Sequence, residues 1–272
     1  GMKIAADYFE KGLGRSLGFL VGALVLGTAF PHFLKGSSIG FSWEIVVYIT
    51  SGLAFLGGLL MLILVPSGPY RNASSILNLS AFISVFKNKD FRSAAFGYFG
   101  HMWELYAFWA FVPVMLQTYM SLNPDIPINI PLCSFLIISS GALACVLSGY
   151  LSQKFDVKQI ALVALSLSGL CCLLSPLLFM TDSLELFMVF LLFWGMVVIA
   201  DSPMFSALVA QNTTGRLKGT ALTIVNCIGF GITIISIQVL SFLSSSSNSI
   251  YIYTVLAVGP LLGIIYLLKN KA

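Results

Sequence analysis

The sequence predicts an all-α polytopic membrane protein, and three observations predict it. Of its 272 residues 58% are hydrophobic and 9% charged, with a mean hydropathy of +0.97, whereas a soluble chain carries about 25% charged residues to face water. Apolar runs long enough for a helix of about 20 residues, the length that crosses a hydrocarbon core of about 30 Å, recur from one end to the other. The basic residues fall in alternate connections between those runs, as they do in chains with a fixed orientation across a bilayer.

Eight spans follow in order: residues 16–34, 43–65, 93–119, 131–151, 159–180, 185–210, 220–243 and 250–268. Several contain Gly or Pro, which a membrane helix tolerates when neighbouring helices satisfy the freed backbone groups. Lys3, Lys11 and Arg15 precede the first span, and Arg71, Lys87, Lys89 and Arg92 separate the second from the third. Lys154 and Lys158 follow the fourth, Arg216 and Lys218 the sixth, and Lys269 and Lys271 the eighth. Of the 14 Lys and Arg residues only Lys35 lies on the other side. Basic connections are cytoplasmic, so both ends are expected in the cytoplasm. The sequons at Asn72, Asn78 and Asn212 fall on that same side, where no glycan is expected.

The net charge of +4 thus expresses topology, and no nucleic-acid partner is implied. The five cysteines (Cys133, Cys145, Cys171, Cys172, Cys227) all lie in spans without metal-ligand or C-x-x-C spacing, and read as small hydrophobes. No metal or cofactor is implied. No short apolar core with a small-residue cleavage site opens the chain, so the first span is expected to be retained. The long connection 67–90 marks a boundary: 1–66 before it, 91–272 after it. Within it Ile76, Leu79, Ile83 and Phe86 recur at helical spacing, which predicts an amphipathic helix in the cytoplasmic interface.

Two spans before the linker and six after it are unequal halves. The segments KGLGRSL (11–17) and RLKGTAL (216–222) share a basic residue, Gly, a small residue and Leu at equal offsets, each just before a span, and repeated halves are a hallmark of secondary transporters. The segment GYLSQKFDVK (149–158) is similar to the cytoplasmic loop motif of the major facilitator superfamily. Gly149, Leu151, Ser152, Lys154, Phe155 and Lys158 match it, while Gln153, Asp156 and Val157 depart from it. The resemblance implies a fold of two six-helix bundles: residues 1–9 would end the fourth helix, 16–65 would form the fifth and sixth, and 93–268 the seventh to twelfth. On that reading about four N-terminal helices of the same protein are a missing partner, 1–66 is a remnant of the first bundle, and 91–272 is the complete second one.

Gly14, Gly18 and Gly22 line one face of the first span at the spacing that lets helices approach closely, as do Ser140, Ala144 and Ser148 on the fourth. Two readings are open: the interface between halves, where the resemblance puts these helices, or tight packing inside one bundle. The stretch GYFGHMWELYAFWAFVP (97–113) poses a sharper question, because it sets His101 and Glu104 in an otherwise aromatic and aliphatic run. An ionised side chain at the centre of a membrane helix costs at least about 2.5 kcal/mol, so both residues should face the bundle interior or a water-filled cavity. Three residues apart, they share a face. At about 1.5 Å per residue Glu104 lies about 18 Å in from Arg92, near the midplane. Asp201 is the other deep acid, and Pro203 after it frees the carbonyl of Ile199.

These residues predict a proton-linked site of His101, Glu104 and Asp201; the alternative is a satisfied pair that ties helices together. Asn226 and Gln238 on the seventh span are candidates to line the cavity. Trp103, Trp109 and Trp194 read as packing or interfacial anchors, and His32 as a solvated residue at an outer end. No Arg lies deep in a span, so a fixed clamp for phosphate-like anions is not in evidence. No nucleophile with a base and no H-E-x-x-H spacing marks an enzyme. The expected function is a secondary active transporter, a permease moving a small solute by alternating access with H+ coupling (symport or antiport). The alternatives are a non-transporting sensor or scaffold of the same fold and an uncoupled facilitator.

Overall fold

The computed structural model describes residues 1–9, 12–37, 40–70, 85–213, 217–247 and 250–269. Among them every regular element is helical. A short helix α1 (Met2–Tyr8) leads into α2 (Leu13–Gly36) and α3 (Trp43–Leu64); after the linker come α4 (Lys89–Leu122), α5 (Ile130–Leu151), α6 (Val157–Phe179) and α7 (Leu184–Ala200). Helix α8 (Ser202–Gln211) continues the sixth span, α9 (Lys218–Ser246) is the seventh, and a 3-10 turn (Ile250–Ala257) runs into α10 (Val258–Lys269). Among the described residues eight helical segments are long and apolar enough to cross a membrane, and their bounds follow the expected spans to within a few residues.

Caps explain several of the boundaries. Asn88 accepts from the N–H groups of Asp90 and Phe91 at the start of α4, Asn129 from Leu132 at the start of α5, and Ser183 from Leu186 at the start of α7, so orphan donors at each N-terminus are satisfied. The 3-10 stretch is longer than is usual for that geometry. Pro260 offers no N–H to the preceding turn, and Trp103 donates from Nε1 to the Val255 carbonyl at 3.2 Å, which occupies one of the acceptors there. Trp103 is therefore a helix tie.

Helix α2 lies along α5 at close range. A Cβ on Gly18 would stand 2.6 Å from the Cys145 carbonyl oxygen, and one on Gly22 would stand 3.1 Å from that of Ala142. Gly14 faces the Ser152 hydroxyl, where a Cβ would meet Oγ at 2.5 Å. The predicted glycine face thus meets the last turns of α5, from Ala142 on, and its C-cap Ser152. Helix α3 buries none of its residues; Tyr48, Phe55 and Leu62 are among its most exposed side chains. Phe86 packs edge-on against Phe91 at 5.1 Å, whereas Ile76, Leu79 and Ile83 of the expected amphipathic helix lie outside the described residues.

The interior divides into two apolar clusters stacked along α4. One uses Phe91, Ala95, Tyr98 and Met102 with Leu17, Phe205 and Leu267. The other uses Leu105, Phe108, Met115 and Tyr119 with Trp194, Phe187 and Tyr253. His101 and Glu104 stand at the seam between them, both 1% exposed. The apolar clusters exclude water on either side, so the polar groups at the seam must find partners within the protein.

Candidate functional site

The sixth span is broken where the sequence sets Asp201 before Pro203. Asp201 ends α7 and caps α8, in which Pro203 occupies the first turn. The carbonyl of Ile199, freed by the missing proline N–H, accepts from the Cys145 thiol at 3.5 Å and from the Asp201 amide at the junction. A span expected to be continuous is therefore two helices. Cys145, expected to be only a small hydrophobe, supplies a donor because a buried carbonyl in lipid needs one.

This junction aims the Asp201 carboxylate at α4. Oδ1 of Asp201 lies 2.8 Å from Nδ1 of His101, with both side chains 1% exposed. The contact is within ion-pair distance, and it is an ion pair when the imidazole is protonated. Beyond it, Nε2 of His101 and Oδ2 of Asp201 are buried without a hydrogen-bond partner among the described residues. The imidazole is flanked by the rings of Tyr98 and Phe205, with centroids 5.8 and 6.2 Å away.

Glu104 has a different environment. Its Oε1 accepts from Trp194 Nε1 at 2.7 Å and from the Cys172 thiol at 3.3 Å, and its Oε2 accepts from the Ser168 hydroxyl at 2.9 Å. Ser168 shares its proton with the Leu165 carbonyl. No bond joins Glu104 to His101. The shared helix face suggested a single cluster of three; the structure forms a His101–Asp201 pair and a separate Glu104 cage, because residues of α6 and α7 reach the glutamate while the α7–α8 junction reaches the histidine. Trp194 packs in the core as its sequence reading has it and is also a donor to this carboxylate, and Cys172 is likewise more than a hydrophobe.

Asn226 on α9 accepts from the Tyr98 hydroxyl at 2.7 Å. Its amide nitrogen and the Ser206 hydroxyl both face the Met2 sulfur, at 3.8 and 3.7 Å, so α1 covers this flank of the site. Gln238 is exposed. At the end of α5 Gly149 is buried, with Arg15 Cα 3.1 Å from where its Cβ would be. Leu151 and Lys154 are exposed and Lys158 is half-buried. Ser168, Cys172, Tyr98 and Ser206 are members of the site that sequence reasoning missed. Ser168 and Cys172 sit four apart in an apolar helix, and that spacing was the available signal.

Eight apolar helical segments around a buried polar seam define a multi-pass membrane protein with ionisable groups at its centre, the kind of interior a membrane transporter has. The match is specific: the family model described as Major Facilitator Superfamily fits residues 1–237, and the chain belongs to that family of membrane transporters. No curated protein matches the chain.

Proposed function

We propose that the protein is a secondary active transporter of a small solute, working by alternating access and coupled to protons through the His101–Asp201 pair. The observation that carries this reading is the pair itself: a buried imidazole and carboxylate 2.8 Å apart, each with a further polar atom unpartnered among the described residues. Moving a proton within such a pair changes the charges of both groups, and the atoms left over can receive water or solute when the site opens. Coupling requires only that proton and solute stabilise different conformations. Asp201 sits at a break between two helices, so a change in its charge acts where the two segments join.

Glu104 contributes as a fixed charge or dipole beside the pair. Its three donors come from α6 and α7, so its carboxyl group ties those two helices to α4. Residues 1–66 and 91–272 would move against each other, with the α2–α5 contact as the sliding surface and the 149–158 loop at its cytoplasmic end. The setting is a bacterial inner membrane with both ends of this chain in the cytoplasm, the side favoured by the basic connections.

The test is reconstitution into vesicles loaded with a pH-sensitive dye and challenged with a panel of small solutes. Asp201→Asn is expected to abolish solute-driven proton movement while solute counterflow continues, and Glu104→Gln to retain proton movement. Proton movement lost in Glu104→Gln and kept in Asp201→Asn would transfer the role to Glu104. Solute uptake without protons in the wild type would make the protein a facilitator.

A further inference from the structure

A groove of about 350 Å³ opens on the membrane-facing side of α5, α6 and α7. Its walls are Leu147 and Leu151 of α5, Val163 of α6 and Phe193 of α7, with Gln159 one of its few polar side chains. Leu147 and Val163 are more than half exposed, so the groove faces the bilayer and is separate from the buried seam. An apolar slot of this kind offers nothing to orient a polar solute. It fits a hydrocarbon chain.

Charge at one end of the groove selects among hydrocarbon-bearing molecules. Phe155, which lines the mouth, lies in the loop between α5 and α6 beside exposed Lys154, and half-buried Lys158 is one residue from Gln159. Asp156 offsets one of these two charges and leaves one over. The rim is thus cationic on balance. Basic groups at the end of a groove between membrane helices, on the side where anionic lipids concentrate, are the chemistry that holds a lipid phosphate.

We propose that this groove is a binding site for one anionic phospholipid, its acyl chain between Leu147, Val163 and Phe193 and its headgroup at Lys154 and Lys158. The occupied site would brace the loop 152–156 against α5 and α6. It stands apart from the proton-coupling reading and survives if that reading fails.

The test is native mass spectrometry of the delipidated chain titrated with dioleoyl phosphatidylglycerol or dioleoyl phosphatidylcholine. The wild type is expected to retain one phosphatidylglycerol with at least about fivefold preference over phosphatidylcholine, the effect of about one lysine near a membrane surface. Val163→Trp, which fills the groove from an exposed position, should remove the adduct; Leu147→Trp on the facing wall provides the same test if the first variant is not monodisperse. Lys154→Gln with Lys158→Gln should bring phosphatidylglycerol down to the level of phosphatidylcholine. Equal retention of the two lipids by the wild type overturns the proposal. So does a preference that survives the filled groove, or one that is unchanged without the lysines.

Discussion

The two acids in the core have opposite environments, and the difference sets what each can be asked to do. Glu104 accepts from Trp194, Cys172 and Ser168, so removing one donor leaves a partly satisfied carboxyl group in a dry site. An unsatisfied buried acceptor costs about 1–3 kcal/mol, and with two donors remaining the lower end applies. Trp194→Phe is therefore expected to destabilise by about 1 kcal/mol, seen as a lower melting temperature in detergent. Ser168→Ala should have a similar sign and a smaller size, since that hydroxyl also serves the Leu165 carbonyl. For His101 and Asp201, each with a polar atom to spare, substitution should appear in proton movement before stability. An unchanged proton signal in Asp201→Asn vesicles would remove the pair from the mechanism.

Two element contacts make predictions at the scale of the helix. Along α2 and α5, Gly18→Ala would place a methyl group 2.6 Å from the Cys145 carbonyl, a backbone atom that cannot turn aside. Overpacking of this kind costs about 1–3 kcal/mol, and thermal unfolding should report it. Gly27 on the same helix has nothing within 4 Å of its Cβ position, so Gly27→Ala should leave the melting temperature unchanged or slightly raised. At the break in the sixth span, Pro203→Ala restores an N–H able to bond the Ile199 carbonyl in place of Cys145. A straighter helix would turn Asp201 from His101. Slower amide exchange through 199–205 together with weaker proton coupling is the expected outcome, and faster exchange there would show that the proline stabilises the junction.

For the whole molecule the orientation is the testable quantity. Lys35 and Lys154 sit at opposite ends of α2 and α5. In a background with exposed Cys227 replaced, Lys35→Cys should react with a membrane-impermeant maleimide from outside intact cells, and Lys154→Cys only in inverted vesicles. The reverse pattern would invert the topology read from the basic residues. The unburied surface of α3 and the two stacked apolar clusters fit a molecule whose solvent is lipid on the outside and whose polar chemistry is confined to a seam.

The sequence alone determined the all-α class, the eight spans and their order, because hydrophobic length and the placing of basic residues are local quantities that a bilayer reads directly. It marked His101, Glu104 and Asp201 as well, since a charge in an apolar run is costly wherever the run ends up. Only the tertiary structure decided who partners whom. Helical spacing put His101 and Glu104 on one face, yet the Asp201 junction took the histidine while Ser168, Cys172 and Trp194, 64 to 90 residues away in the chain, took the glutamate. Such pairings depend on how helices rotate and cross, and no period in the sequence encodes that. The Asp201 break shows both at once: Pro203 predicted a freed carbonyl from local chemistry, and Cys145 of another helix was there to receive it only because α5 packs against α7.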